Sequence, residues 1–134
     1  MDCLFCSIAK KEIPARLIYE DEKAVAFLDI HPRAAGHAIV ILKDHSETTL
    51  DLKENGYKPL FKALVATERK ILKTLAPHGF TIGINQKKAA GQEIDHLHIH
   101  VIPRFSDDGG GSIQSVVSSL PKESLEEIFK KING

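Results

Sequence analysis

The run Asp95-His96-Leu97-His98-Ile99-His100-Val101-Ile102 constrains this chain more than any other stretch. Successive side chains of a strand point to opposite faces. The pattern therefore predicts a strand over 94–102 with Leu97, Ile99 and Val101 on a buried face and His96, His98 and His100 together on the other. Alternate positions lie ~6.6 Å apart, so adjacent histidines of the set share a metal or a substrate group, whereas His96 and His100, ~13 Å apart, divide the labour. Two chemistries suit such a row. One is an open three-histidine zinc site that activates water. The other is attack by a neutral imidazole on phosphorus, giving a phosphohistidine that water later cleaves.

The rest of the sequence supplies one domain around that strand. Its 134 residues carry 18 Lys and Arg against 18 Asp and Glu. A neutral chain lacks the basic field that neutralises a phosphate backbone, so no nucleic-acid partner is expected. No apolar run approaches the ~20 residues of a membrane helix, and none at the N-terminus resembles a secretory leader, so neither membrane nor export is expected. The expected location is the cytoplasm. A short amphipathic helix is read over 4–11 and strands over 16–20, 24–29 and 37–42. Apolar residues at three- and four-residue spacing predict one long helix over 57–75, closed by Pro77 and Gly79. A strand over 80–85 precedes the histidine strand. The three glycines at 109–111 mark a flexible joint, and Leu125, Ile128, Phe129 and Ile132 form one stripe of a terminal helix over 123–132 that must dock on its own sheet or a second subunit. Neighbouring strand pairs with a single long helix between them predict an α+β fold with an antiparallel sheet. Residues 1–105 form the domain, and 106–134 a Gly-rich joint and helix attached to it.

Cys3-Leu4-Phe5-Cys6 in a reducing compartment reads as a metal clip or redox pair before it reads as a disulfide. With His45 and one histidine of the row it completes a Cys2His2 set, the composition of a closed structural zinc site. If the metal takes His96, His98 is free to act as nucleophile. A CxxC pair alone is a weaker signal than the four residues together.

The segment from His96 to Ile102 matches the His-φ-His-φ-His-φ-φ pattern, with φ apolar, and so resembles the histidine triad (HIT) superfamily of nucleotide hydrolases and transferases. Cys3–Ile8, Glu12-Ile13-Pro14, Ala26–Ile30, Gly36-His37, Gly91-Gln92 and Pro103-Arg104 are similar to family blocks in the family's order, covering residues 3–104. The resemblance implies a five-stranded antiparallel sheet, a homodimer and a purine nucleotide lying across the sheet. It also implies that His98 attacks the α-phosphorus and that His100 contacts phosphate oxygens or the leaving group. Asp29 would accept the ribose hydroxyls, Phe5, Ile8, Phe27 and Ile30 would wall the base, and Asn85, Gly91 and Gln92 would hold the phosphate side. Blander readings exist: Phe27 and Ile30 as core, Asp29 as a turn residue, Gly91 as a tight turn.

The chain departs from many phosphoramidase members at Glu93, where they carry Ser or Thr; a carboxylate donates no hydroxyl hydrogen bond, and either carries a proton for the leaving group or points away. The expected activity is release of AMP from purine nucleotides through a nucleotidyl-His98 intermediate, phosphoramidates favoured, with structural zinc. The alternatives are a dinucleoside polyphosphate hydrolase of the Ap4A type and a nucleotide-binding interaction module without turnover.

Overall fold

The computed structural model describes residues 3–134; the first two residues of the domain read over 1–105 lie outside them. The elements are α1 (Leu4–Ala9), β1 (Leu17–Glu20), β2 (Ala24–Leu28), β3 (Ala38–Leu42), α2 (Tyr57–Leu75), β4 (Gly79–Gly83), β5 (His98–Arg104) and α3 (Leu125–Asn133), with short 3-10 turns at Glu54–Gly56, Lys88–Ala90 and Ile113–Val116. The strands form one fully antiparallel sheet in the order β1-β2-β3-β5-β4. The chain leaves β3, crosses through α2 to the edge strand β4, and returns as β5 into the gap beside β3.

Alternation sorts the sheet into two apolar faces. Ala24, Ala26, Ala38, Val40, Ile99 and Val101 pack with Leu60, Ala63, Leu64 and Ile71 of α2. Val25, Phe27, Ile39 and Ile41 point the other way and pack with Phe5 and Ile8 of α1. Because Ile41 pairs with His98 and Ile39 with His100, both histidines share the α1 face. Among the described residues, no helix is long and apolar enough to cross a membrane.

The long helix occupies the expected range, 57–75; Ala76 ends it with left-handed φ of 50° and returns its N–H to the Leu72 carbonyl. Two corrections affect the site. The histidine strand begins at His98, not 94, because the Leu97 N–H is taken by the Ser46 carbonyl at 2.6 Å instead of a strand partner. His96 therefore lies ahead of the strand, not on its alternating row. The preceding strand ends at Gly83, so Asn85 falls in the loop beyond it. Nor does α3 dock on its own chain: Leu125, Phe129 and Ile132 are exposed, and none of its residues is buried. Its start is set by a capping box between Ser124 and Glu127.

Gly36 turns the chain into β3 with φ of +87°, and a Cβ there would lie 2.6 Å from Leu75 Cδ1 and 3.3 Å from Pro103 Cγ. Gly36→Ala is expected to cost about 1–3 kcal/mol, from left-handed strain and overpacking together. A denaturant midpoint equal to that of the unsubstituted protein would show that the turn tolerates a side chain.

Candidate functional site

His98 is held through one ring nitrogen and by aromatic packing. Its Nδ1 lies 2.7 Å from the His96 carbonyl oxygen. A carbonyl only accepts, so Nδ1 carries the proton and donates, leaving the lone pair on Nε2. The Phe5 ring stands edge-on to the imidazole at 5.0 Å, and Phe27 stands edge-on to Phe5 at 5.4 Å. A buried imidazole with one nitrogen tied to the backbone and the other bare is a nucleophile of fixed orientation.

His100 follows on the same face, its ring centroid 5.0 Å from that of His98. Its proton is placed by His37, a member of the Gly36-His37 block to which the sequence assigned no role of its own. The Arg33 backbone N–H donates to His37 Nδ1 at 3.0 Å, so the His37 proton sits on Nε2. That nitrogen lies 3.0 Å from His100 Nδ1 and 3.4 Å from Asp29 Oδ2. His37 donates to His100, whose own N–H is thereby placed on Nε2, available to an oxygen above the sheet. Asp29, His37 and His100 have the composition of a metal triad. However, a metal on His37 Nε2 would need the proton on Nδ1, where Arg33 already donates, so the three form a hydrogen-bonded chain instead. The alternation that singles out His98 and His100 continues into β3 as His37, Ile39 and Ile41, and that signal was present in the sequence.

The Cys3, Cys6, His45 and His96 donors meet the opposite condition. One ligand atom from each lies within 4.8 Å of all the others. His96 Nε2 lies 2.9 Å from the Leu42 carbonyl, to which it donates, which bares Nδ1 toward Cys3 Sγ at 3.4 Å and Cys6 Sγ at 3.5 Å. His45 Nδ1 lies 3.3 Å from Cys6 Sγ. A tetrahedral zinc with bonds of ~2.3 Å to sulfur and ~2.0 Å to nitrogen separates those donors by about 3.5 Å, so the four side chains fit that ion. Burial first, then the hydrogen bond and charge of Cys3, raise the Cys6 thiol above its ordinary pKa. Two adjacent thiols resist becoming two thiolates, which is the cost a bound cation would offset. With both its nitrogens turned to these partners, His96 takes no part in a three-histidine site with His98 and His100.

The remaining expected residues divide. Phe5, Ile8 and Phe27 come together in one apolar cluster under the histidines. Ile30 does not join it and is 77% exposed. Asp29 stands beside the triad: Oδ1 accepts the His31 N–H at 2.8 Å and Oδ2 faces His37, with lone pairs on both oxygens left for a diol. An open hollow borders it, lined by Leu28, Pro32, Arg33 and Gly36 among others. Gly91 takes φ of +92° at the end of the small-residue loop. The Gln92 side chain is spent inside that loop, accepting from Lys87 N–H at 2.8 Å and donating to the Glu47 and Ile94 carbonyls at 2.8 and 3.1 Å. It braces the loop and has no N–H left to offer. Asn85 is exposed beyond β4. Glu93 is also exposed, near enough for its charge to act on His100.

Burial is the main cause lowering the pKa of His37, aided by the Arg33 charge and opposed by Asp29. Burial likewise leads for His100, aided by His98 and His37 and opposed by Asp29 and Glu93. Both stay neutral in the folded chain where an unfolded histidine would be protonated. The unfolded state therefore binds more protons below the ordinary value of about 6.5, and stability falls as pH drops through it. Thermal melts are expected to be level from pH 7 to 8 and to fall toward pH 5. A midpoint at pH 5 equal to that at pH 7.5 would show the two imidazoles to be solvated.

An antiparallel sheet flanked by helices, with a backbone-oriented histidine and a relay behind its neighbour, defines a class of α+β proteins built around a strand-borne histidine site. The HIT domain matches residues 10–107, and the chain belongs to the HIT family. It is 38% identical to an uncharacterized HIT-like protein of Methanocaldococcus jannaschii, over 98% of this chain and 99% of that one. It is 33% identical to an adenosine 5'-monophosphoramidase of Schizosaccharomyces pombe, over 100% and 98%. The crystal structure of a HIT family member from Bacillus subtilis superposes with a TM-score of 0.85 at 33% identity, over 99% of this chain and 96% of that one.

Proposed function

We propose that this HIT family nucleotide hydrolase cleaves purine nucleotides at the α-phosphorus, releases AMP and favours P–N substrates. The observation that carries the reading is the His98 imidazole, held through Nδ1–H by the His96 carbonyl with its Nε2 lone pair free. Nε2 attacks phosphorus and forms the N–P bond. The P–N bond to the leaving group breaks, its electron pair departs with the amine, and the amine takes a proton from water. A second water then cleaves the nucleotidyl-histidine and returns the lone pair to Nε2. His100 Nε2–H donates to a phosphate oxygen as charge builds there. Asp29 receives the ribose hydroxyls, and Phe5 with Phe27 backs the nucleoside. The preference for P–N substrates is supported by the name of the fission-yeast relative, 33% identical over the whole of this chain.

Zinc on Cys3, Cys6, His45 and His96 belongs to the same reading. The ion would supply structure only, clipping α1 and the approach to β5 together. A homodimer is favoured by apolar surface that one chain leaves open: Phe61 and Leu72 on α2, and Leu125 and Phe129 on α3. The two free thiols fit a cytoplasmic, reducing location.

Incubation with adenosine 5'-phosphoramidate and chromatography for AMP tests the activity. Turnover that exceeds the rate with diadenosine tetraphosphate supports the P–N reading. The reverse order selects the polyphosphate hydrolase, and tight AMP binding without turnover of either selects a binding module.

A further inference from the structure

The sulfurs of Cys3 and Cys6 stand close enough to react with each other. Both face His96 Nδ1, at 3.4 and 3.5 Å, and the two sulfurs lie within 4.8 Å of one another. Cys3 caps α1 from an extended backbone and its Sγ accepts the Cys6 N–H at 3.4 Å, so the pair belongs to the first turn of one helix. Residues three apart on a helix have Cβ atoms about 5–6 Å apart, and a disulfide needs about 3.5–4.5 Å. Side-chain rotation with a small tightening of that turn joins the sulfurs at ~2.0 Å.

The pair is also within reach of solvent. His96, on the inner side of the four donors, is 1% exposed, whereas both cysteines are half-buried and His45, 3.3 Å from Cys6 Sγ, is exposed. A small oxidant therefore meets the sulfurs from the His45 side. Ligation to zinc keeps both as thiolates, the form that attacks a peroxide. The Cys6 thiolate attacks the hydroxyl oxygen of a hydroperoxide; the O–O bond breaks, alkoxide leaves with the electron pair, and Cys6 becomes a sulfenic acid. The Cys3 thiolate then attacks the Cys6 sulfur, the S–O bond breaks and hydroxide leaves. Two protons from solvent turn alkoxide and hydroxide into alcohol and water. The two sulfurs have lost two electrons and the peroxide has gained them. A disulfide is no thiolate ligand, and two neutral histidines alone do not retain the ion.

Both supports of the His98 imidazole depend on this cluster. Phe5, between the two cysteines, stands edge-on to His98 at 5.0 Å and to His96 at 6.1 Å. The His96 carbonyl accepts from His98 Nδ1 at 2.7 Å, while the His96 ring faces the sulfurs. We propose that Cys3 and Cys6 are a peroxide-sensitive switch, in which a reversible Cys3–Cys6 disulfide expels the zinc ion and loosens the two groups that orient His98. The switch rests on the zinc assignment above. A dithiol reverses it by thiol–disulfide exchange, which returns both thiolates to the metal.

The test treats the full chain, loaded with zinc under reducing conditions and then freed of reductant, with a small excess of hydrogen peroxide. Zinc release is followed with a chromophoric chelator, the cysteines by intact mass and peptide mapping, and AMP release from adenosine 5'-phosphoramidate in parallel. One zinc is expected to leave for each Cys3–Cys6 disulfide formed, with the mass lower by two hydrogen atoms. Turnover is expected to fall about a hundredfold, the scale of a ~1 Å misplacement of a reacting group. Dithiothreitol with added zinc is expected to restore metal, thiols and turnover together. Zinc retained with both thiols intact overturns the switch, and so does zinc lost with the cysteines as sulfinic acids, which dithiothreitol does not reverse. Turnover unchanged by the disulfide overturns the link to His98. The metal and mass readouts need no substrate, so a failure of the hydrolase reading shows separately, as no AMP release before peroxide is added. A reduced chain that takes up no zinc is a different failure: it removes the zinc assignment, and the switch with it.

Discussion

Replacing His98 by alanine is expected to lower AMP release from adenosine 5'-phosphoramidate by about four to six orders of magnitude, the loss typical of removing a covalent nucleophile. The other side chains around it cannot take over. His96 is committed through Nε2 to Leu42 and faces the cysteines through Nδ1, and His37 is committed through Nδ1 to Arg33. His100 accepts the His37 Nε2–H at Nδ1 and so presents a donor, not a lone pair, at Nε2. The substitution leaves Asp29, Phe5 and Phe27 in place, so AMP binding is expected to survive within about tenfold while turnover collapses. That split separates a chemical role from a structural one. Loss of binding and turnover in equal measure would point to a collapsed pocket, and near-normal turnover would exclude His98 as the attacking group.

The second large effect concerns the Cys2His2 cluster. The purified protein is expected to carry one zinc per chain by elemental analysis, and Cys3→Ser to remove it. An ion that binds only the folded chain stabilises it by about 4 kcal/mol when its free concentration exceeds Kd a thousandfold. For a chain of this size the melting midpoint would fall by on the order of 10 °C. The cluster lies close to the nucleophile in two ways. His96 supplies both a ligand nitrogen and the carbonyl that orients His98, and Phe5, between the two cysteines, packs on the His98 ring. Metal loss should therefore slow turnover as well as destabilise, but by far less than His98→Ala, because the nucleophile is still present. A metal-free wild type whose midpoint is unmoved by Cys3→Ser would leave the four residues as a polar cluster only.

Much of this was legible in the sequence where the physics is local. The long helix could be bounded at 57–75 because its apolar period is its own and Pro77 closes it. The pairing of Cys3 and Cys6 with His45 and His96 followed from ligand types, and the structure brings those four donors together. What went astray depended on partners far along the chain. Alternation from His96 to Val101 is real as a pattern of residue types, but a strand is defined by its hydrogen bonds, and the Leu97 N–H goes to Ser46. The role of His37 rests on an Arg33 amide four residues away and an imidazole 63 residues away, neither of which a motif records. Gln92 sits in a family block beside Gly91, yet its amide is consumed in holding the loop. Ile30 follows Asp29 in an apolar segment, yet it stands in solvent because β2 ends at Leu28.

A covalent His98 intermediate is tested by stopping the reaction with adenosine 5'-phosphoramidate within its first turnover, under alkaline denaturing conditions that preserve phosphorus–nitrogen bonds, and mapping the added nucleotidyl group by peptide mass spectrometry. One AMP unit on His98, absent in His98→Ala, is the expected result. AMP released at full rate with no adduct at any time point, or an adduct on another residue, would contradict it.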